Sequence, residues 1–142
     1  MTVTESNVVA GPGEYDKAVI LLVEDDILVR FVTADVLREA GFDVLEAVNG
    51  SEALALIRTG HPLDLVITDL RMPGMDGIEL TSSVKLLRAN LPVMILSSHL
   101  DDRPHLADTF FAKPYQIDEL VAAVNRLIGA EWRQNLQQSS TS

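Results

Sequence analysis

An α/β protein with a parallel sheet covered by helices on both faces is the fold class the sequence predicts. Short apolar runs of strand length recur along the chain, separated by helical stretches. The first of them, 18–23 (AVILLV), shows no polar alternation, as expected of a strand buried on both faces. Strands interleaved with helices imply βα units, because parallel strands need a crossover between them.

The elements follow in order. Positions 1–17 are polar and contain Gly11-Pro12-Gly13, so they read as a mobile tail. After the strand at 18–23 comes a helix at 27–40, ending at Gly41, a natural C′ residue. Its apolar residues spread round most of the circumference and leave no clean stripe. A second strand, 42–47, leads into an Asn49-Gly50 turn and a helix at 51–58. The third strand, 64–68 (DLVIT), runs into Asp69. Leu80, Val84 and Leu87 recur at i, i+4, i+7 and predict a third helix. A fourth strand spans 92–96 and a short fifth spans 110–112. The last helix has the clearest pattern: Ile117, Leu120, Val121, Val124, Leu127 and Ile128 share one side, with Asp118, Glu119, Asn125 and Arg126 opposite. One domain at 18–130 follows, with a polar C-terminal tail at 131–142. Trp132 falls just beyond the last helix and has no assigned role.

Composition narrows the function classes. The 142 residues suit one compact domain, and 47% apolar content is enough for a core. Against 21 Asp and Glu stand 11 Lys and Arg, for a net charge of −10. That balance repels nucleic acid and anionic membrane. Without Cys there is neither a disulfide framework nor a thiol nucleophile. No secretory signal and no apolar run of membrane-spanning length is present, so a cytoplasmic protein is the expectation. Asn49-Gly50-Ser51 matches a glycosylation sequon, but Asn-Gly is a turn signal and the sequon is set aside.

In doubly wound sheets, ligands bind beyond the carboxyl ends of the strands. The first strand ends in Glu24-Asp25-Asp26, the third in Asp69, the fourth in Ser97-Ser98 and the fifth in Lys113-Pro114. Side by side, these would gather carboxylates, a hydroxyl and an ammonium in one crevice. Crowded carboxylates repel, and hard oxygen ligands suit Mg²⁺. A carboxylate can also attack phosphorus. Each piece alone has a plainer reading. An acidic triplet before a helix commonly caps it, an Asp after a strand is commonly a turn residue, and Ser-Ser and Lys-Pro are ordinary loop dipeptides. Their joint occurrence at four strand ends is what points to a site.

The segments LLVEDD (21–26), LVITDLRMPGMDG (65–77), PVMILSS (92–98) and FAKPY (111–115) resemble the receiver domains of two-component response regulators. The likeness runs from about 18 to 128, and the chain resembles the stand-alone, single-domain (CheY-like) members. It implies a flavodoxin-like sheet of order 2-1-3-4-5. By the same likeness, Asp69 is the phospho-acceptor, and Asp25 is a Mg²⁺ ligand with Glu24 acting through water. The backbone carbonyl of Arg71 completes the protein's share of the metal shell. Ser97 is the hydroxyl switch residue, Lys113 pairs with phosphoryl oxygens, and Phe110 is the aromatic switch residue. The Lys113-Pro114 bond is expected to be cis. Arg71 and His99 are candidates for tuning the rate of phosphoryl loss, although His99 reads equally as a surface residue. The implied partners are a histidine kinase or histidine phosphotransfer protein and a downstream protein, with a homodimer left open. The implied role is that of a signalling domain rather than an enzyme.

The chain departs from the family at one place. Positions 98–112 alone separate Ser97 from Lys113, too few for a full fourth helix and a fifth strand, and Pro104 sits in the middle. A short, distorted or absent fourth helix is expected. Competing readings are a phosphorylation-independent binding module, an aspartyl-phosphate phosphatase and a flavodoxin. Intact Asp69, Ser97 and Lys113 argue against the first. The candidate acceptor follows the third strand rather than the first, against the second. No Ser/Thr/Gly-rich phosphate loop follows Val23, against the third.

Overall fold

The computed structural model describes residues 17–99 and 103–141, the stretch 130–141 by backbone alone. The elements are β1 (Val19–Val23), α1 (Ile27–Glu39), β2 (Asp43–Ala47), α2 (Gly50–Arg58), β3 (Leu65–Asp69), α3 (Gly77–Leu87), β4 (Val93–Ser97), β5 (Thr109–Ala112) and α4 (Ile117–Thr141). The five strands form one sheet of order β2-β1-β3-β4-β5, and every neighbouring pair is parallel. This is the doubly wound, flavodoxin-like arrangement expected from the sequence.

The pleat sends alternate residues to opposite faces, which builds two cores. Ile20, Leu22, Leu65, Ile67, Met94 and Leu96 pack with Ala34 and Leu37 of α1 and with Leu120, Val124 and Ile128 of α4. Leu21, Val23, Val66, Val93 and Ile95 pack with Ala53, Leu54 and Ile57 of α2 and with Ile78, Leu80 and Val84 of α3. The unbroken apolar runs are explained by this two-sided burial.

The helix starts are set by side-chain caps. Asp26 caps α1 by accepting the Leu28 and Val29 N–H groups. Asn49, read as a turn residue, is instead the N-cap of α2 and accepts the Glu52 N–H at 2.8 Å. Asp76 and Glu79 form a reciprocal capping box on α3. Gly41 follows the α1 C-cap at φ +103, the left-handed conformation its C′ position demands.

Some expectations are corrected. Leu87, placed in the α3 stripe, is 43% exposed, because it ends the helix beyond the reach of the sheet. Ile117 is exposed in the same way at the start of α4. The tail expected at 131–142 is helical to Thr141, since Glu, Arg, Gln, Leu and Ala favour helix without needing burial. The Trp132 side chain lies outside the described ones, and positions 1–16 of the expected N-terminal tail lie outside the described residues. Among the described residues there is no helix between β4 and β5, as the short spacing foretold. None of the described helices is long and apolar enough to cross a membrane.

Candidate functional site

The strand order places the carboxyl ends of β1 and β3 side by side, with β4 and β5 following. Glu24 and Asp25 leave β1, and Asp69 closes β3. Carboxylate oxygens of Glu24, Asp25 and Asp69 all lie within 4.8 Å of one another. Lys113, just after β5, donates from Nζ to Asp69 Oδ1 at 2.5 Å. It crosses β4 to do so, and the Lys113 N–H is itself held by the Ser97 carbonyl at 2.8 Å. The Lys113-Pro114 bond is cis, as expected. The Asp69 and Lys113 side chains are 15% and 29% exposed, so the pair is reachable from outside.

The acidic triplet divides its labour. Asp26 is spent on capping α1, the plainer of the two readings open to it. Asp25 is exposed. Glu24 is buried, and its Oε2 accepts the Asp26 N–H at 3.0 Å. Burial pushes the Glu24 carboxyl up to about 7. The Asp26 N–H opposes that rise, and the neighbouring Asp69 carboxylate adds to it. Burial works to lower the Lys113 ammonium, but the Asp69 and Glu24 carboxylates outweigh it and hold its pKa above the usual value.

The β3–α3 turn explains the glycine of Met75-Asp76-Gly77. The Gly77 N–H donates to the Leu70 carbonyl at 2.7 Å, and a Cβ at Gly77 would collide with the Asp69 backbone carbonyl. A side chain there would displace Asp69 itself. Gly74, at φ +77, supplies the left-handed residue of the same turn.

Asp69, Leu70, Arg71, Leu96, Ser97, Ser98 and Lys113 line a cleft of about 50 Å³. The structure thus brings Ser97 and Arg71 to the same cleft as Asp69 and Lys113. The Ser97 hydroxyl, however, faces its own loop: Oγ donates to the His99 carbonyl at 2.7 Å and accepts the His99 N–H at 3.1 Å. The exposed His99 ring lies 3.0 Å from Ser98 Oγ, not at the carboxylates. Phe110 is half-buried and lines a neighbouring cavity of about 170 Å³ with Ser97, Ser98 and His99. Its ring lies against His105, with centroids 4.5 Å apart. Sequence reading missed Arg103, which reaches Asp76 at 2.8 Å; no local signal marks a pair joining two separate loops.

The donor set fits a hard divalent cation. Three carboxylates converge beside the Lys113 ammonium, and oxygen-only coordination through few carboxylates suits Mg²⁺.

Comparison with known proteins agrees with this fold. The family model for the response regulator receiver domain matches residues 20–125. Sporulation initiation phosphotransferase F of Bacillus subtilis is 35% identical over 115 residues, covering 77% of this chain and 92% of that protein. The DNA-binding transcriptional regulator NtrC of Salmonella typhimurium is 36% identical over 118 residues, covering 79% of this chain but 25% of that protein. Among solved structures, TrrA of Thermotoga maritima in complex with Mg(2+)-BeF is 32% identical with a TM-score of 0.71, covering 78% of this chain and 98% of that one.

Proposed function

Because the chain belongs to the response regulator receiver domain family of two-component signalling, we propose that Asp69 accepts a phosphoryl group from a phosphohistidine and thereby switches partner binding. The observation that carries this reading is a reachable carboxylate, Asp69, held between the Lys113 ammonium and the Glu24–Asp25 pair.

An Asp69 carboxylate oxygen attacks phosphorus in line as the P–N bond of the phosphohistidine breaks. A P–O bond forms, and the leaving imidazole nitrogen keeps the electron pair and takes a proton. Lys113 turns from the free carboxylate to the charge on the phosphoryl oxygens. Ser97 offers its hydroxyl to the same oxygens. Glu24, Asp25, Asp69 and the Arg71 backbone carbonyl would hold Mg²⁺, which when bound offsets the charge of both carboxylates and phosphoryl group. Water later removes the phosphoryl group, and Arg71, which lines the cleft, tunes that rate; His99 faces Ser98 in this structure and would have to turn to take part.

A histidine kinase or histidine phosphotransfer protein is the proposed donor. In support, Ile27, Leu28 and Phe31 of α1 are 70%, 72% and 66% exposed and begin two residues after Asp25. An apolar patch beside a charged pocket suits a partner that docks by hydrophobic contact while presenting its reactive group to the pocket. A protein of unassigned identity is the downstream target.

Intact-mass measurement after incubation with acetyl phosphate and Mg²⁺ tests the reading. One phosphoryl adduct is expected, absent from Asp69→Asn and blocked by EDTA. An unmodified wild-type mass would overturn the reading in favour of a phosphorylation-independent binding module.

A further inference from the structure

Residues 24–26 join β1 to α1 and carry the acidic pair, so the direction in which Asp25 leaves the sheet depends on how their backbone is held. Most of it is held from close by. The Glu24 N–H donates to the Ala47 carbonyl of β2 at 3.1 Å. The Asp26 N–H donates to Glu24 Oε2 at 3.0 Å, and the Asp26 side chain caps α1. The peptide between Glu24 and Asp25 is fixed from further away. Its oxygen, the Glu24 carbonyl, accepts a hydrogen bond from Arg30 Nη1 at 2.9 Å. Asp25 is exposed, and its carboxylate accepts no hydrogen bond among the described residues. The orientation of that one peptide therefore aims it.

Arg30 is itself held in place. Its side chain is 13% exposed, and its Nε pairs with Glu46 Oε1 of β2 at 3.2 Å. The other Glu46 oxygen pairs with Arg38, further along α1, at 3.0 Å. Arg38 in turn donates to the Val44 carbonyl at 2.8 Å. A guanidinium is planar, so its Nε and Nη1 protons reach two acceptors at a fixed angle. Glu46 sets the plane of the Arg30 group, and that plane sets where the Glu24 carbonyl can lie. A part-buried carbonyl that loses its donor turns toward another donor or toward water, and the peptide turns with it.

We propose that Arg30 is a positioning residue for the cation site: by holding the Glu24 carbonyl it keeps Asp25 turned toward Asp69, within reach of one divalent cation. The proposal rests on the reading of Glu24, Asp25 and Asp69 as cation ligands, whose oxygens already lie within 4.8 Å of one another. The sign of its effect separates it from plain electrostatics. A guanidinium near the pocket repels a second cation, so loss of the Arg30 charge alone would tighten Mg²⁺ binding. Loss of the hydrogen bond loosens it, because a ligand free to turn must be ordered when the metal binds.

Isothermal titration calorimetry of Mg²⁺ into the unphosphorylated full chain tests the role without any phosphoryl transfer. In Arg30→Met the dissociation constant is expected to rise about tenfold, the scale on which groups that orient metal ligands act. Arg30→Lys keeps the charge but not the planar fork, and a several-fold rise is expected. Circular dichroism checks the fold of each variant, and the lysine variant decides the matter if the methionine variant does not fold. A dissociation constant in folded Arg30→Lys equal to or below that of wild type would overturn the positioning role, even where urea unfolding shows a loss of stability. Tighter binding in Arg30→Met would overturn it in favour of charge alone. Wild type that binds no Mg²⁺ would overturn the cation-site reading and the proposal with it, whereas wild type that binds while both variants match it would overturn the proposal only.

Discussion

The acidic pocket and the β4–β5 connection meet at Ser97, yet they are built on opposite principles. In the pocket, each reactive group sits within one or two residues of a strand end, and the sheet fixes the spacing. The Asp69–Lys113 contact and the Glu24–Asp25–Asp69 cluster follow from the order of four strands. In the connection, no described residue between β4 and β5 is helical or extended, and position depends on individual contacts such as Arg103–Asp76 and His105–Phe110. The sheet spaces the reactive groups, whereas the connection is held by side-chain contacts from α3, β4 and β5.

Substitutions can break or sharpen this contrast. The largest effect is expected at Asp69: Asp69→Asn should abolish the phosphoryl adduct while leaving the fold intact by circular dichroism, since the pocket adds charge rather than core. Lys113→Ala should slow adduct formation from acetyl phosphate by about 100-fold, read from the time course of intact mass, because it removes a preorganised cation from the reacting oxygens. The frame itself is tested by Ile67→Ala, which empties a fully buried site in β3 and should cost about 2–5 kcal/mol in urea unfolding.

A pH effect isolates the cost of crowding carboxylates. The Glu24 pKa is raised in the folded protein from 4.5 to about 7, so the folded state holds its proton more tightly than the unfolded state does. Its contribution to stability is present below about pH 4.5 and is lost as pH rises toward 7. In EDTA, urea unfolding should show this loss, on the order of 1–3 kcal/mol, and Glu24→Gln should flatten it. A slope that survives the substitution would assign it to other groups. The smallest effect is expected far from either region: Asn49→Ala should cost about 1 kcal/mol through the lost α2 cap, with adduct formation unchanged.

The sequence carried most of this. Apolar runs such as 18–23 have the length and the lack of polar alternation expected of strands buried on both faces, because a polar residue on either face would be driven out of a core. The carboxylates and Lys113 were legible because they stand at fixed offsets from those runs. Ser97 was found, but not where its hydroxyl turns, since the choice between His99 and the pocket is made by local hydrogen-bond geometry. Asn49 was misassigned because the same residue type serves turns and caps.

By itself, then, the order of amino acids pointed to the five strands, to the helices between them and to the reactive groups at the strand ends, because strand-length apolar runs and helical spacing are local patterns; it did not carry the last helix to Thr141. Only the tertiary structure decided that Arg103 meets Asp76, that Phe110 lies under His105 and that Glu24 is buried beside Asp69. Those contacts join residues distant in sequence, and nothing short of the folded chain brings them into range.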